Sequence, residues 1–248
     1  MTTLRLSALL APCLLLLAAS LATAGPYDEL DALLKRYVNR EGLVDYRALK
    51  AKDEQALKQV VARLAKVDAR KLQGAAKKAY WINVYNALTL RAIVERYPIK
   101  SIKDLNAKGY DVWKDYRFGK KKRSLNEIEH KILRPMGDPR IHAAIVCASV
   151  GCPPLRPEAY VPEKLDAQLD DNVRVWLASA TRGLEVKAGT AKISQIFNWF
   201  GQDFGEGNKR AHLKWIKRYA PKELADALSL DMKVEYLEWD WALNEQKR

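Results

Sequence analysis

The segment from Lys77 to Tyr97, KKAYWINVYNALTLRAIVERY, constrains the fold more than any other. Its apolar residues cover most of a helix circumference instead of one stripe, and a helix that is apolar all round has to be enclosed by other elements. Pro98 stops it, since proline has no N–H to give to a helical ladder. The rest of the chain must therefore pack around this helix. Asn83 and Asn86 interrupt it, three residues apart on the face that carries Ala79 and Leu90. A buried amide needs hydrogen-bond partners, so these two either bond the backbone of a neighbouring loop or line a site.

Helical spacing predicts further helices over 27–38 (Leu30, Leu33, Leu34 and Val38 inward), 46–66, 125–134 and 165–177. Ser124-Leu125-Asn126-Glu127 is a capping-box pattern that opens the third of these, and Pro135 closes it. Aromatic and β-prone residues over 110–124, with Gly119 and the run Lys120–Arg123, predict a hairpin with a basic tip. A second hairpin is expected over 184–193 around Gly189. A short packed helix is expected over 194–204, a helix from Asn208 to Tyr219, another after Pro221, and a strand over 234–236. His212 has polar neighbours in sequence (Lys209, Arg210 and Lys214) and reads as a surface residue. Ile141 to Cys147 reads as a short apolar strand. Together these predict an α+β fold: a single, mostly helical domain over 25–248, with a small β-sheet carrying the His142–Cys147 strand.

The N-terminus reads as a secretory signal peptide over 1–24. Arg5 precedes the apolar run Leu6–Leu21, and Ala22-Thr23-Ala24 is a cleavage pattern. The run is short of the ~20 apolar residues of a membrane span, so no transmembrane segment is expected in the mature chain. Cys13 follows Pro12 within the run, not the small residue that precedes a lipidated cysteine. The mature protein is expected to be exported, periplasmic or secreted, after cleavage near Ala24. The net charge of +13, from which the leader removes only Arg5, would suit contact with an anionic envelope surface. Because the lysines and arginines are scattered over polar helix faces, no nucleic-acid partner is expected.

The chemistry concentrates in RIHAAIVCASVGCPPL, Arg140 to Leu155, where an apolar run delivers reactive side chains into a Gly/Pro turn. Export makes Cys147 and Cys152 a candidate disulfide. On an extended strand His142 and Cys147 would point to opposite faces about 16 Å apart. His130, from the preceding helix, is therefore the expected base for a Cys147 nucleophile, with Glu129 or Asn86 orienting it and His142 as an accessory. Glu129 falls on the apolar stripe between Leu125 and Leu133, where a carboxylate needs a cation such as Arg134 or Arg140, a histidine or a metal. Ser149, Asn83, Cys152 and Arg140 are expected to line the site. Cysteine and histidine ligands would suit zinc, but Cys-x4-Cys is a poor knuckle spacing, and no cofactor is expected.

These blocks resemble a known family. VDYRAL (44–49), AYWINVYNALTL (79–90), SLNEIEHKILR (124–134), DPRIHAAIVCASVGCPPLRPEAY (138–160), ISQIFNWFGQDF (193–204) and YLEWDWALN (236–244) are similar, in order, to DUF547, a domain of unknown function. The family's Glu-His, His, Cys and Cys-Pro positions fall on Glu129-His130, His142, Cys147 and Cys152-Pro153. The resemblance implies no reaction. Three functions stay open: a cysteine-dependent hydrolase or transferase acting on a small molecule or peptide; a thiol–disulfide or thiol-binding protein using Cys147 and Cys152; and a non-enzymatic envelope binding module.

Overall fold

The computed structural model describes residues 25–205 and 207–247. The leader over 1–24, with Cys13 and the cleavage near Ala24, lies outside the described residues.

Helix α1 (Asp28–Tyr37) packs on α2 (Tyr46–Leu64), and α2 packs on the central α3 (Gly74–Arg96), in which every residue from Ala79 to Leu90 is buried. The all-round apolar sequence is thus matched by all-round cover. Asp45 caps α2, its Oδ1 accepting from Ala48 N at 2.9 Å, and Tyr80 ties α3 to the end of α2 through Leu64 O at 2.9 Å.

Beyond α3 the expected hairpin over 110–124 is present only at its tip. The Asp111 side chain accepts from Trp113 N at 2.9 Å and turns the chain into a short helix, α4 (Val112–Asp115). Only β1 (Arg117–Phe118) and β2 (Arg123–Ser124) then pair, antiparallel. The capping box forms as read: Ser124 Oγ accepts from Glu127 N at 3.1 Å and Glu127 Oε2 from Ser124 N at 3.2 Å. It opens α5 (Leu125–Ile128), which widens into a π turn over Glu129–Leu133. Single π turns inside helices recur where a side chain has to be re-aimed, and this one carries Glu129 and His130.

The expected strand from His142 to Cys147 is not one, and no sheet carries it. Residues Ile141–Ala144 form a helical turn, α6, and the chain extends only from Ile145. The cause is local. Asp138 and Pro139 start a turn, with Ile141 N donating to Asp138 O (3.2 Å) and His142 N to Pro139 O (3.1 Å), and the Ala143-Ala144 pair tolerates helix. A short apolar run cannot by itself distinguish a strand from a buried helical segment. The turn removes the separation that an extended chain would impose on His142 and Cys147.

After α7 (Leu165–Leu177), strands β3 (Leu184–Lys187) and β4 (Thr190–Ile193) form the expected hairpin, and β5 (Lys233–Tyr236) joins β4 in parallel. Between them lie α8 (Ile196–Trp199), a 3-10 turn over Gly201–Phe204, α9 (Lys209–Lys217) and α10 (Lys222–Ala227). The fold is α+β, as expected. Among the described residues no helix is long and apolar enough to cross a membrane.

Two apolar cores result. One surrounds α3; the other gathers Trp176, Phe197, Phe204, Trp215 and the β3–β5 sheet. The segment from Ala143 to Val146 crosses the seam, since Ala143 packs in the second core while Ile145 and Val146 pack in the first. The C-terminal segment closes over the cysteine turn: Val150 N donates to Ala242 O and Gly151 N to Asp240 O, both at 2.8 Å. Glycine is required at 151, where a Cβ would stand 2.9 Å from the Trp239 ring and 3.0 Å from Asp240 N.

Candidate functional site

A cavity of about 260 Å3 opens at this seam. Its lining brings together Tyr85, Glu129, His130, His142, Cys147 and Cys152 with a wall of four tryptophans, Trp113, Trp199, Trp239 and Trp241. A larger hollow of about 620 Å3 beside α1 contains none of the candidate residues, and its Arg156 is already paired with Glu158 and Asp171.

Asn86 fixes the segment that brings His142 and Cys147 to the cavity. Its Nδ2 donates to Ala144 O at 2.8 Å and its Oδ1 accepts from Val146 N at 3.1 Å, a clamp on both sides of Ile145. Asn83 does the same for Tyr160, at 2.8 and 3.0 Å. Both amides bond loop backbone, and neither lines the cavity. Arg140 is likewise remote, joining Asp138, Asp166 and Asp170 in an ion-pair cluster.

Cys147 and Cys152 are free thiols in contact. Cys147 N donates to Cys152 Sγ at 3.1 Å, and Cys147 Sγ lies 3.1 Å from the buried Ser149 Oγ. Ala148, at φ +61°, turns the chain sharply after Cys147 and lets residues 147–152 fold back on themselves. Hydrogen bonding to Cys152 and burial push the Cys147 thiol well above its ordinary range. Burial opposes ionisation of Cys152 too, but hydrogen bonds from Cys147 and Ser149 outweigh it and hold that thiol below its ordinary value. The pair thus favours one thiolate and resists a second. Cys147 is the more exposed of the two sulfur residues.

His142 is 3% exposed, stacks on Phe200 at 4.4 Å, and donates from Nε2 to Asp203 Oδ2 at 2.7 Å. That bond fixes the tautomer and leaves Nδ1, the other nitrogen of a cavity-lining ring, without a protein partner among the described residues. Burial keeps His142 below its ordinary pKa despite the carboxylate. Asp203 resists burial because His142 and Arg134 hold it well below the carboxylate range. Arg134 grips Asp203 with two bonds, Nε–Oδ2 at 2.6 Å and Nη2–Oδ1 at 2.9 Å, and donates from Nη1 to His130 Nδ1 at 2.9 Å. Burial, Arg134 and His142 lower the pKa of His130.

With Arg134 engaged elsewhere, Glu129 has no ion-pair partner among the described residues. Tyr85 Oη donates to it at 3.3 Å, and burial pushes its carboxyl up to about 7. The sequence reading required a cation, a histidine or a metal for this carboxylate; the protein instead favours the neutral acid. Among the described residues no group of three or more His, Cys, Asp and Glu side chains is arranged to hold a metal ion.

His212 corrects the surface reading. It is 1% exposed, packed by Phe197 and Phe204, and its Nε2 bonds Gly201 O at 3.0 Å, bracing the turn that carries Asp203. Its helix α9 turns that face inward because Leu213 and Ile216 lie on it. The sequence assigns no role to Asp203, to Arg134 as its partner or to Tyr85, and its aromatic content, which could line a sugar or peptide cleft, does not say which tryptophans gather at the site. The available signal was an aspartate in the aromatic-rich run FNWFGQDF, where a carboxylate has little reason to stand without a partner.

Residues 69–177 match the family model described as a protein of unknown function, DUF547. The match is narrower than the resemblance drawn from the sequence blocks. It includes Glu129, His130, His142, Cys147 and Cys152 and ends before Asp203 and three of the four wall tryptophans. No curated protein and no solved structure matches the chain.

Proposed function

We propose that this protein is a thiol-dependent acyl-transfer enzyme, a hydrolase or transferase acting on an ester or amide. One observation carries the reading: a free, partly accessible thiol shares a small cavity with a carboxylate-held histidine and a carboxyl pushed up to about 7, where it can both give and take a proton. The sequence-level choice of His130 as base gives way to His142, because Asp203 orients His142 and can stabilise its imidazolium, as a triad carboxylate does. The Nδ1 of His130 is instead occupied by Arg134.

In this mechanism Cys147 Sγ attacks the carbonyl carbon and its proton passes to His142 Nδ1. The tetrahedral adduct collapses, the bond to the leaving group breaks, and Glu129 gives that group its proton, leaving a thioester on Cys147. A water or an acceptor nucleophile then attacks the thioester carbonyl and gives its proton to the Glu129 carboxylate. The departing sulfur takes its proton back from His142, and both acid–base groups are restored.

The contact between the two sulfurs also favours a second reading, a redox pair, since export would put this dithiol where disulfides form. The N-terminal apolar run supports that location. A p-nitrophenyl ester burst, with the acylated residue mapped by mass spectrometry, separates the two. The enzyme reading expects acyl-Cys147 in the wild type, none in Cys147→Ser, and slowed turnover in His142→Asn. Acylation that persists in Cys147→Ser overturns it, and a requirement for both cysteines together with an oxidant supports the redox pair.

A further inference from the structure

The four tryptophans have no part in the acyl-transfer steps. Trp199, Trp239 and Trp241 lie with ring centroids 4.7, 5.8 and 6.2 Å apart, and Trp113 meets Trp241 edge-on at 6.3 Å. Rings this close touch one another, at interplanar angles of 55°, 52° and 27°, so they form a continuous faceted platform and not a hollow cage. Trp199 is 47% exposed, so the aromatic cluster presents a face to solvent where a ligand can reach it.

We propose that this platform is a saccharide subsite, so that the ester or amide attacked by Cys147 is carried on an uncharged or anionic sugar. The inference deepens the acyl-transfer reading and rests on it for the reacting bond, but not for the binding. A sugar ring presents an apolar face to an indole and hydroxyls at its edge, and the cavity supplies both complements. The Asn126 amide lines it with no hydrogen-bond partner among the described residues. Trp239, also in the lining, has an indole N–H with no acceptor. A buried indole N–H without an acceptor and a free amide beside aromatic faces suit a ligand that brings its own donors and acceptors.

Charge excludes the cationic occupants that aromatic clusters otherwise attract. The Lys103 ammonium already covers Trp241, with Nζ 3.7 Å from the ring centroid. Of the nearby carboxyls, Glu129 is pushed toward its protonated form by burial, Asp203 is consumed by Arg134 and His142, and Asp240 accepts from Ala242 N. An aliphatic chain fits less well than a sugar, because the tryptophan wall offers flat rings where a tunnel of branched aliphatics would be needed.

The test titrates full-length mature protein with cellotetraose and with the tetramer of N-acetylglucosamine, read by tryptophan emission and by saturation-transfer NMR. Trimethylglycine serves as the cationic comparison. The expected result is that at least one saccharide binds, changes the emission, and loses about tenfold or more in affinity in Trp199→Ala. Trp239→Phe, which keeps a ring but removes the indole N–H, should weaken binding by less. Melting curves confirm that the variants fold. Failure of both saccharides to bind, binding unchanged in Trp199→Ala, or preferential binding of trimethylglycine overturns the proposal. Ester acylation of the wild type is measured separately. Saccharide binding without acylation leaves the subsite standing and removes the reaction; acylation without saccharide binding does the reverse.

Discussion

Glu129→Gln should stabilise the protein in alkaline solution and leave it unchanged in acid. The wild-type carboxyl titrates near 4.5 when unfolded and near 7 when folded, because burial disfavours its charge. Below the lower value both states hold the proton and Glu129 contributes no pH dependence. Above it the unfolded chain ionises freely while the folded one resists, so stability falls as pH rises through this window and stays reduced above the folded value. Each pH unit between the two values is worth about 1.4 kcal/mol, which sets a ceiling of roughly 3 kcal/mol. Glutamine keeps an acceptor for the Tyr85 hydroxyl and cannot ionise. Urea unfolding of wild type and variant at pH about 4 and about 8 should give equal stabilities at the first and a variant more stable by about 2–3 kcal/mol at the second. The groups whose folded values lie low, Asp138 at about 2 and Asp203 below that range, act in the opposite direction but cancel in the difference between the two proteins. A difference that is the same at both pH values, or a variant less stable in alkali, would refute the buried-acid account of Glu129.

Asp203→Asn should cost about 2 kcal/mol in urea unfolding, since it removes a two-bond partner from Arg134. It should also slow Cys147 acylation by about a hundredfold or more, because the histidine loses its orienting carboxylate. Asn86→Ala should cost about 2–4 kcal/mol by thermal melting, as it leaves Ala144 O and Val146 N buried without partners. Gly42→Ala should destabilise by more than about 2 kcal/mol in the same assay: residue 42 sits at φ +75°, and an added Cβ would stand 2.5 Å from Leu155 N. Little change in any of these measurements would remove the contact named for it.

What the sequence disclosed follows from which interactions are local. The all-round apolar pattern of residues 79–90, the Ser124–Glu127 capping box and the hairpin around Gly189 are each determined within a few residues, and each formed as read. Ile141–Cys147 was misread because one turn of helix and a short strand have the same composition there; hydrogen bonds from the Asp138-Pro139 turn decide between them. His212 was misjudged from its sequence neighbours, although the side chains that bury it, Phe197 and Phe204, come from a different element. Asp203 acquires meaning only when the second core folds against the first, 69 residues away from Arg134 and 61 from His142. The reactive residues were readable because cysteine and histidine are few. Their roles were not, because roles depend on which partner reaches which atom.

The arrangement of charge ties the site's two halves together. Arg134 is the cation nearest to Glu129, His130 and Asp203, and it spends its donors on the last two. Had it paired with Glu129, that carboxyl would be held ionised and could not donate a proton near neutrality. Because Arg134 neutralises Asp203, Glu129 remains an acid and His142 remains a neutral base, so that opposite proton-transfer tasks fall to neighbouring groups, as pKa separation requires. At rest the cavity then holds histidines kept neutral by burial and a Glu129 carboxyl pushed up to about 7, with the Arg134–Asp203 ion pair compensated behind them. A substrate entering past the tryptophans need not bring a countercharge, and a cationic one would meet Lys103 first. An uncharged carbonyl compound anchored by stacking is the kind of ligand such a balance favours. Arg134→Gln should therefore disturb both ends of the reaction at once: releasing Asp203 to compete for the His142 proton raises the histidine's pKa, while Glu129 loses a cation and rises further. The acylation pH profile should shift to higher pH on both limbs, and a shift confined to one limb would separate the two groups that the structure couples.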